Sequence, residues 1–291
     1  MHAQRTSLSG PKPPLDINAR RQMWRCRDIS LRSLCVAAFF ACGLVGAVHA
    51  DQLSDAETAY QHRDFPTALT VWQRLAEQGN PAAERGLGIL YENGYAVGKD
   101  RTQAVALYRK AAAQGDAEAE CRLGLGYVLG PRGPFGLPHD VSQGLALMTK
   151  AADQGLAHCQ NEMGSLYQHG MWDVPKDMAQ AVAWYRKAAE AGYAVSEVSL
   201  GNAYKFGEGV QQDENQAALW YQRAQVQYKK EADQGDVPAE LALGMGYEIR
   251  YMDLPRDKTK ALFWYQKAAR QEGPLKSMAE KDVKRVESQS Y

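Results

Sequence analysis

Cysteine is scarce in this chain of 291 residues: there are five, and three of them (Cys26, Cys35 and Cys42) fall within the first fifty positions. The remaining two, Cys121 and Cys159, are too few to staple a disulfide-built domain. Charge of either sign is not in excess, with 34 Lys and Arg against 34 Asp and Glu. Beyond the first fifty residues no apolar run approaches the ~20 residues a membrane-spanning helix needs. Metal-ligating spacing is also missing: His158, Cys159 and His169 share one helical stretch with no third and fourth ligand at matching positions. The pairs Gly86-Leu87-Gly88 and Gly124-Leu125-Gly126 echo a dinucleotide loop but lie inside helical pattern with no strand ahead of them. The sequence therefore offers no cofactor site, no metal site and no recognisable catalytic constellation.

What is present begins with residues 1–50. Seven basic residues, among them Arg20, Arg21, Arg25, Arg27 and Arg32, precede the apolar run Leu34 to Val48 and the small residues ending at Ala50. This is the pattern of a secretory signal peptide cleaved after Ala50, with a retained anchor as the alternative and Met23 as a candidate true start. The expected destination is the periplasm or the exterior. Subtracting the seven basic and two acidic residues of this stretch from 34 and 34 leaves 27 against 32, a formal charge of −5 for residues 51–291. An acidic surface gives no footprint for a phosphate backbone, so nucleic acid is not an expected partner.

After Asp51 the chain is periodic. The stretch Gln180 to Gly192 (QAVAWYRKAAEAG) has variants at Thr67–Gly79, Gln103–Gly115, Gln143–Gly155, Gln216–Gly235 and Lys260–Gly273. Ala181, Trp184, Tyr185 and Ala188 lie at i, i+3, i+4 and i+7, one face of a helix expected to be packed core. The closing Gly115, Gly155, Gly192, Gly235 and Gly273 fit a left-handed helix-ending position. Ahead of each such helix runs a second motif, Leu87-Gly88 with Tyr91, Leu123-Gly124 with Tyr127, Met163-Gly164 with Tyr167, Leu200-Gly201 with Tyr204, and Leu243-Gly244 with Tyr247. Four of these copies place a glycine three residues after the tyrosine, and the last has Arg250 there. Successive tyrosines are 36, 40, 37 and 43 residues apart by subtraction. Periods of this size predict an all-α solenoid of about six helix-turn-helix pairs with a C-terminal capping helix. The domain plan is a degenerate helical pair over 51–79, five repeats over 80–115, 116–155, 156–192, 193–235 and 236–273, and a capping helix and tail over 274–291.

Between the two helices of each pair stands an aspartate: Asp100, Asp140, Asp177, Asp213 and Asp257. Gln103, Gln143, Gln180 and Gln216 follow the first four at three residues, so a capping box is expected, the aspartate accepting from the first turn and the glutamine reaching back. Capping accounts for residue type and spacing together, without a catalytic or metal-binding series.

With both motifs in order, A-x-x-x-L-G-x-x-Y-x-x-G and then D-x-x-x-A-x-x-W-Y-x-K-A-A-x-x-G, residues 80–273 resemble the Sel-one-like repeat family, relatives of the tetratricopeptide repeats. The resemblance implies a right-handed superhelix acting as a non-enzymatic adaptor for a protein or peptide, often exported. An immunity protein that neutralises a secreted effector is one such role. Cysteine-rich members that handle β-lactams carry paired cysteines in every repeat, and this chain does not. A cell-envelope enzyme acting on wall material, or a structural part of an envelope secretion assembly, are the alternative function classes.

The resemblance places the first helices on the concave wall. Setting the motif Leu or Met at zero and turning about 100° per residue, positions −2, +2 and +5 are expected to face the groove. They hold Arg85, Ile89, Glu92; Cys121, Leu125, Val128; Asn161, Ser165, Gln168; Val198, Asn202, Lys205; and Leu241, Met245, Glu248. Two departures from the period add candidates. An inserted Pro131–Gly136 loop carries Phe135, and a seven-residue lengthening of the fourth repeat is expected to project a helix tipped by Tyr228, Lys229 and Lys230. On the same azimuths Cys121 and Cys159 lie on opposite sides of their helices, near −200° and −40°, and are expected to stay unpaired.

Overall fold

The computed structural model describes residues 51–288. The basic leader, the apolar run ending before Ala50 and the candidate start at Met23 lie outside the described residues. The chain divides into two units, one ending at Asp64 and one beginning at Phe65. In the first, residues 51–61 form helix α1, closed by Arg63 at φ 63° with Asp64 N donating to Ala59 O at 2.8 Å.

In the second unit α2 (Phe65–Glu77) precedes five antiparallel pairs, each an A helix followed by a B helix. They are α3 (Pro81–Asn93) with α4 (Arg101–Ala113), α5 (Ala117–Leu129) with α6 (Val141–Asp153), and α7 (Ala157–His169) with α8 (Met178–Glu190). Then come α9 (Ala194–Phe206) with α10 (Glu214–Asp233), α11 (Val237–Ile249) with α12 (Lys258–Ala269), and the closing α13 (Lys276–Ser288). The unit is the all-α solenoid that the periodicity predicts, and no strand occurs among the described residues.

The two motifs meet inside each pair. A side chain at Gly88, Gly164, Gly201 or Gly244 would strike the ring of Tyr108, Tyr185, Tyr221 or Tyr265, with a Cβ placed 2.5–2.6 Å from ring carbons. Glycine on the A helix is therefore the socket for the B-helix tyrosine. In the second pair Met148 replaces the tyrosine and Gly144 the alanine; a Cβ on Gly124 would lie 2.7 Å from Gly144 O, so here the two backbones themselves are in contact. Of the aromatic doublet, Tyr185 is buried, but Trp184 is half-exposed under Lys187 Nζ, 3.9 Å from its ring centre.

All five aspartates cap B helices: Asp100, Asp140, Asp177, Asp213 and Asp257 each accept from the amide three residues on. The reciprocal glutamine contact does not form. The aspartate amides instead donate to the carbonyls of the motif tyrosines, Tyr91, Tyr127, Tyr167, Tyr204 and Tyr247, at 2.8–3.0 Å, which ties each loop to its A helix and leaves Gln180 to bond the Asp177 carboxylate at 3.2 Å. Backbone hydrogen bonds from Gln180 lead the influences holding the Asp177 carboxyl below the usual aspartate range. Among the closing glycines, Gly115, Gly155, Gly192 and Gly235 are left-handed at φ 82–89°; Gly273 is not.

Both insertions are absorbed rather than displayed. Phe135 is 8% exposed, meets Tyr108 edge to face at 5.6 Å, and fills the space beside Gly126, where a Cβ would lie 2.7 Å from its ring. The lengthened helix α10 has 20 residues against 13 in α8, the seven extra that the sequence shows. Tyr228 is not a projecting tip: it is 8% exposed, in a cluster with Leu243, Met252, Leu254 and Trp264. Two tyrosines seven residues apart thus serve two repeats, Tyr221 bonding Asn202 of the preceding helix at 2.6 Å and Tyr228 packing on the next.

Candidate interaction surface

Position −2 on the A helices is a seam between repeats, not a groove wall. Cys121 on α5 and Cys159 on α7 are joined by a disulfide, with Cα atoms 5.9 Å apart, which overturns the expectation that they stay unpaired. The azimuths were right and the inference from them was not. Consecutive A helices run parallel and side by side, so residues on opposite sides of their own helices are the ones that face each other. One repeat on, the same two positions hold Asn161 and Ser196, whose Oγ donates to Asn161 Oδ1 at 2.9 Å. At the following seam Val198 and Ala239 lie in one apolar cluster, and Leu241 packs with Ala279 and Val286 of α13. Arg85, at the first seam, bonds the cap Asp116 at 3.1 Å.

Position +5 is mostly a polar lock within each pair. Tyr108 donates to Glu92 at 2.6 Å, Tyr185 to Gln168 at 2.6 Å and Tyr265 to Glu248 at 2.9 Å. Burial pushes the Tyr185 and Tyr221 hydroxyls up to about 12. Glu248 is 3% exposed and also holds Arg285 at 2.6 Å, while Val128 is fully buried. Lys205 pairs with Asp253 at 2.7 Å. Glu248 and Val128 are accordingly core residues, and so, with Phe135, Tyr228 and the seam residue Asn161, are not available to a partner.

Position +2 is open: Ile89, Leu125, Ser165 and Asn202 are half-exposed and Met245 is 38% exposed. Sequence reasoning missed its neighbours at −5, −1 and +6, which complete the face. An interior A helix is hemmed by its own B helix, by the B helix before it and by the A helices it meets at the seams, so the open arc centres near −125°, not near 170° as packing against one partner suggests. Along this arc the character changes. In the second repeat it holds the ion pair Arg122–Glu118 at 2.9 Å, and in the third His158 and His169, both exposed. In the last two repeats Ser199 and Asn202 remain on it, but its most exposed side chains are apolar, with Val195 43%, Phe206 65%, Met245 38% and Ile249 62% exposed.

A second feature escaped the sequence reading. Position −3 is a buried acid in four repeats, Glu84, Glu120, Glu197 and Glu240, and Gln160 in the third. The partners come from the B helix of the same pair: Lys150 and Gln154 for Glu120, Arg223 at 3.2 Å for Glu197, and Lys267 at 3.0 Å for Glu240. Where Gln160 replaces the acid, Lys187 turns instead to Asp153 at 3.7 Å. Burial raises the Glu197 carboxyl above its ordinary range despite Arg223. The signal was legible as a Glu and a Lys or Arg recurring 26–30 residues apart. These acids are occupied in holding pairs together. No group of three or more His, Cys, Asp or Glu able to hold a metal ion occurs among the described residues, and none of the described helices is long and apolar enough to cross a membrane.

Comparison with known proteins gives the arrangement a family. The Sel1 repeat profile matches residues 81–116, 117–156, 157–193, 194–224 and 237–272; the gap falls on the lengthened part of α10. Among solved structures, a Sel1 repeat protein from Oxalobacter formigenes is 31% identical over 80% of this chain and 86% of that one, with a TM-score of 0.54. A protective antigen present in uropathogenic Escherichia coli, with the same fold, is 23% identical, with a TM-score of 0.51. That match covers 82% of this chain but only 56% of the antigen's length. An immunity protein from Pseudomonas aeruginosa is 22% identical over 74% of this chain and 81% of that one, with a TM-score of 0.48.

Proposed function

This chain belongs to the Sel1 repeat family, and on that premise we propose that it is an exported, non-enzymatic scaffold that binds a protein or peptide along the open face of its A helices. The observation that carries the reading is the set of exposed apolar side chains on that face in the last two repeats. Val195, Phe206, Met245 and Ile249 stand open on two adjacent repeats, and clustered exposed apolar side chains on a folded domain mark a contact surface more often than an accident. The ionic end at Arg122 and Glu118 supplies orientation, as charge at interfaces does. Catalysis finds no support in the residues. The buried acids are paired within their own repeats, and each tyrosine hydroxyl that bonds an A-helix side chain has its proton engaged there.

Export is supported by the basic and apolar leader and by the Cys121–Cys159 disulfide, a bond that persists in oxidising compartments. The mature protein is expected to begin at Asp51. An intact mass beginning at Met1 or Met23 would overturn cleavage after Ala50.

The direct test is affinity capture from the cell envelope with the parent protein and with a triple variant, Phe206→Asp, Met245→Asp and Ile249→Asp. The variant should keep parental helicity, since these sites are exposed, and lose the captured partner. Undiminished capture would move binding off this face. The identity of the partner then sorts the roles: a secreted toxin for an immunity protein, synthase or export components for an assembly part. Turnover of wall fragments by the pure protein would favour the enzyme alternative.

A further inference from the structure

Two loops of this chain share length and backbone, and only one of them is covered. Residues 170–177 (GMWDVPKD) and 250–257 (RYMDLPRD) align without a gap. Gly170 and Arg250 both have φ 62°, and each loop then holds two consecutive left-handed residues that are not glycine: Trp172 and Asp173 at 57° and 61°, Met252 and Asp253 at 58° and 55°. Both turns close alike, Val174 N donating to Met171 O at 3.0 Å and Leu254 N to Tyr251 O at 3.2 Å.

Paired left-handed residues persist where the surroundings over-determine them. Around 250–257 the surroundings are plain. Met252 is 2% exposed in a cluster with Tyr221 and Tyr228 of α10, and Gln225 of the same helix donates to Met252 O at 2.7 Å. Around 170–177 no equivalent cover stands among the described residues, because the preceding B helix, α6, has 13 residues against the 20 of α10. Trp172 is 43% and Met171 42% exposed. Asp173 has an 85% exposed side chain, with Oδ2 3.0 Å from His139 Nε2; its counterpart Asp253 is paired with Lys205 at 2.7 Å.

We propose that Met171, Trp172 and Asp173 form a docking site for an α-helix of a protein partner, which lies over Trp172 as α10 lies over Met252. The chemistry of the occupant follows from the filled copy: a face of small and aromatic residues for the indole ring, as Ala224, Tyr221 and Tyr228 supply over Met252, and an amide side chain donating to Trp172 O, as Gln225 does to Met252 O; Asp173 keeps His139, as Asp253 keeps Lys205 of α9. A strand is the poorer fit, because the Val174 and Asp177 amides are bonded to Met171 O and Tyr167 O and leave no row of donors for an added ladder. This site is built on the loop that follows α7 rather than on the A-helix face, and the proposal does not rest on that face binding a partner.

The chain supplies its own probe, a synthetic peptide of residues 214–233 held helical by a lactam between Lys229 and Asp233, an exposed pair four residues apart. Titrated into the full chain and followed by backbone amide shifts, it should saturate at residues 171–174 and at His139. Trp172→Gly should weaken binding by at least about tenfold and melt no lower than the parent, glycine being at ease where Trp172 is strained. A peptide carrying Gln225→Ala should bind several-fold more weakly. The proposal is overturned by equal affinity for Trp172→Gly, by shifts centred on 251–253 or on the A-helix face instead, or by no saturable shift up to about 1 mM peptide.

Discussion

The seam between the second and third repeats and the seam between the third and fourth put the same two positions face to face and close them with different chemistry. In one, Cys121 and Cys159 are covalently bonded; in the other, Ser196 donates a hydrogen bond to Asn161. Both pairs are buried, Cys121 2%, Cys159 0%, Asn161 9% and Ser196 0% exposed. The site is thus a fixed feature of stacking parallel A helices, and what fills it is free to vary, from bonded cysteines to the apolar Val198 and Ala239, so long as its polar atoms are satisfied. A stack whose repeats contact only their neighbours takes stability seam by seam, so unequal seams give unequal local stability.

The largest expected effect comes from removing the covalent seam. The Cys121→Ala and Cys159→Ala double variant releases a cross-link spanning 38 residues, which on the loop-entropy account costs about 3–4 kcal/mol. Guanidinium unfolding of the two proteins measures it. An unmoved midpoint would show that the disulfide adds nothing to a stack already held by packing. Next in size, Ser196→Ala leaves Asn161 Oδ1 buried without its donor and should cost about 1–2 kcal/mol. The sharper form of the comparison transplants one seam into the other. Asn161→Cys with Ser196→Cys should form a second disulfide, since the positions match those of the native pair; two extra free thiols in denaturant would refute the shared register.

How much of this was legible in the sequence follows from what each signal encodes. Leu-Gly-Tyr and Trp-Tyr at fixed offsets report contacts within a pair, and Gly164 against Tyr185 is where the glycine and tyrosine readings meet. The aspartate caps are local, so they too were readable. What a helix touches beyond its own pair was not. The azimuth that put Asn161 and Cys121 in a groove ignored the two flanking A helices. Tyr228 reads as a projecting tip in the sequence because the linker that covers it, residues 251–254, turns through left-handed Met252 and Asp253, which Tyr-Met-Asp-Leu does not announce. Glu120 was passed over because a charged residue is expected outside, and only its basic partner thirty residues later makes burial tolerable.

A smaller effect sets the acid-bearing repeats against the third, which uses Gln160. Burial raises the Glu197 carboxyl above its ordinary 4.5, so the folded state binds this proton more readily than the unfolded chain. Its contribution to stability therefore grows as pH falls through the raised value and is complete below about 4.5. Glu197→Gln should stay within about 1 kcal/mol of the parent at pH 7 and lose that acid-side gain. Urea midpoints between pH 7 and 4 resolve the two slopes, and parallel slopes would mean that Arg223 governs the site instead.

The smallest effect belongs to the first residue of the two matched loops. Gly170 and Arg250 hold the same left-handed angle, φ 62° in both, but only one is a residue that adopts it freely. A side chain there costs about 1–2 kcal/mol, against which glycine loses about 0.4–1 kcal/mol through the greater freedom of its unfolded chain. Arg250→Gly should therefore gain about 0.5–1 kcal/mol. The converse, Gly170→Ala, should lose at least as much, because the new Cβ would lie 2.8 Å from that of Lys176. If Arg250→Gly were destabilising in thermal melts, the arginine side chain would have to be contributing more to the fifth repeat than its exposed position suggests, and the loops would differ in what holds them as well as in what covers them.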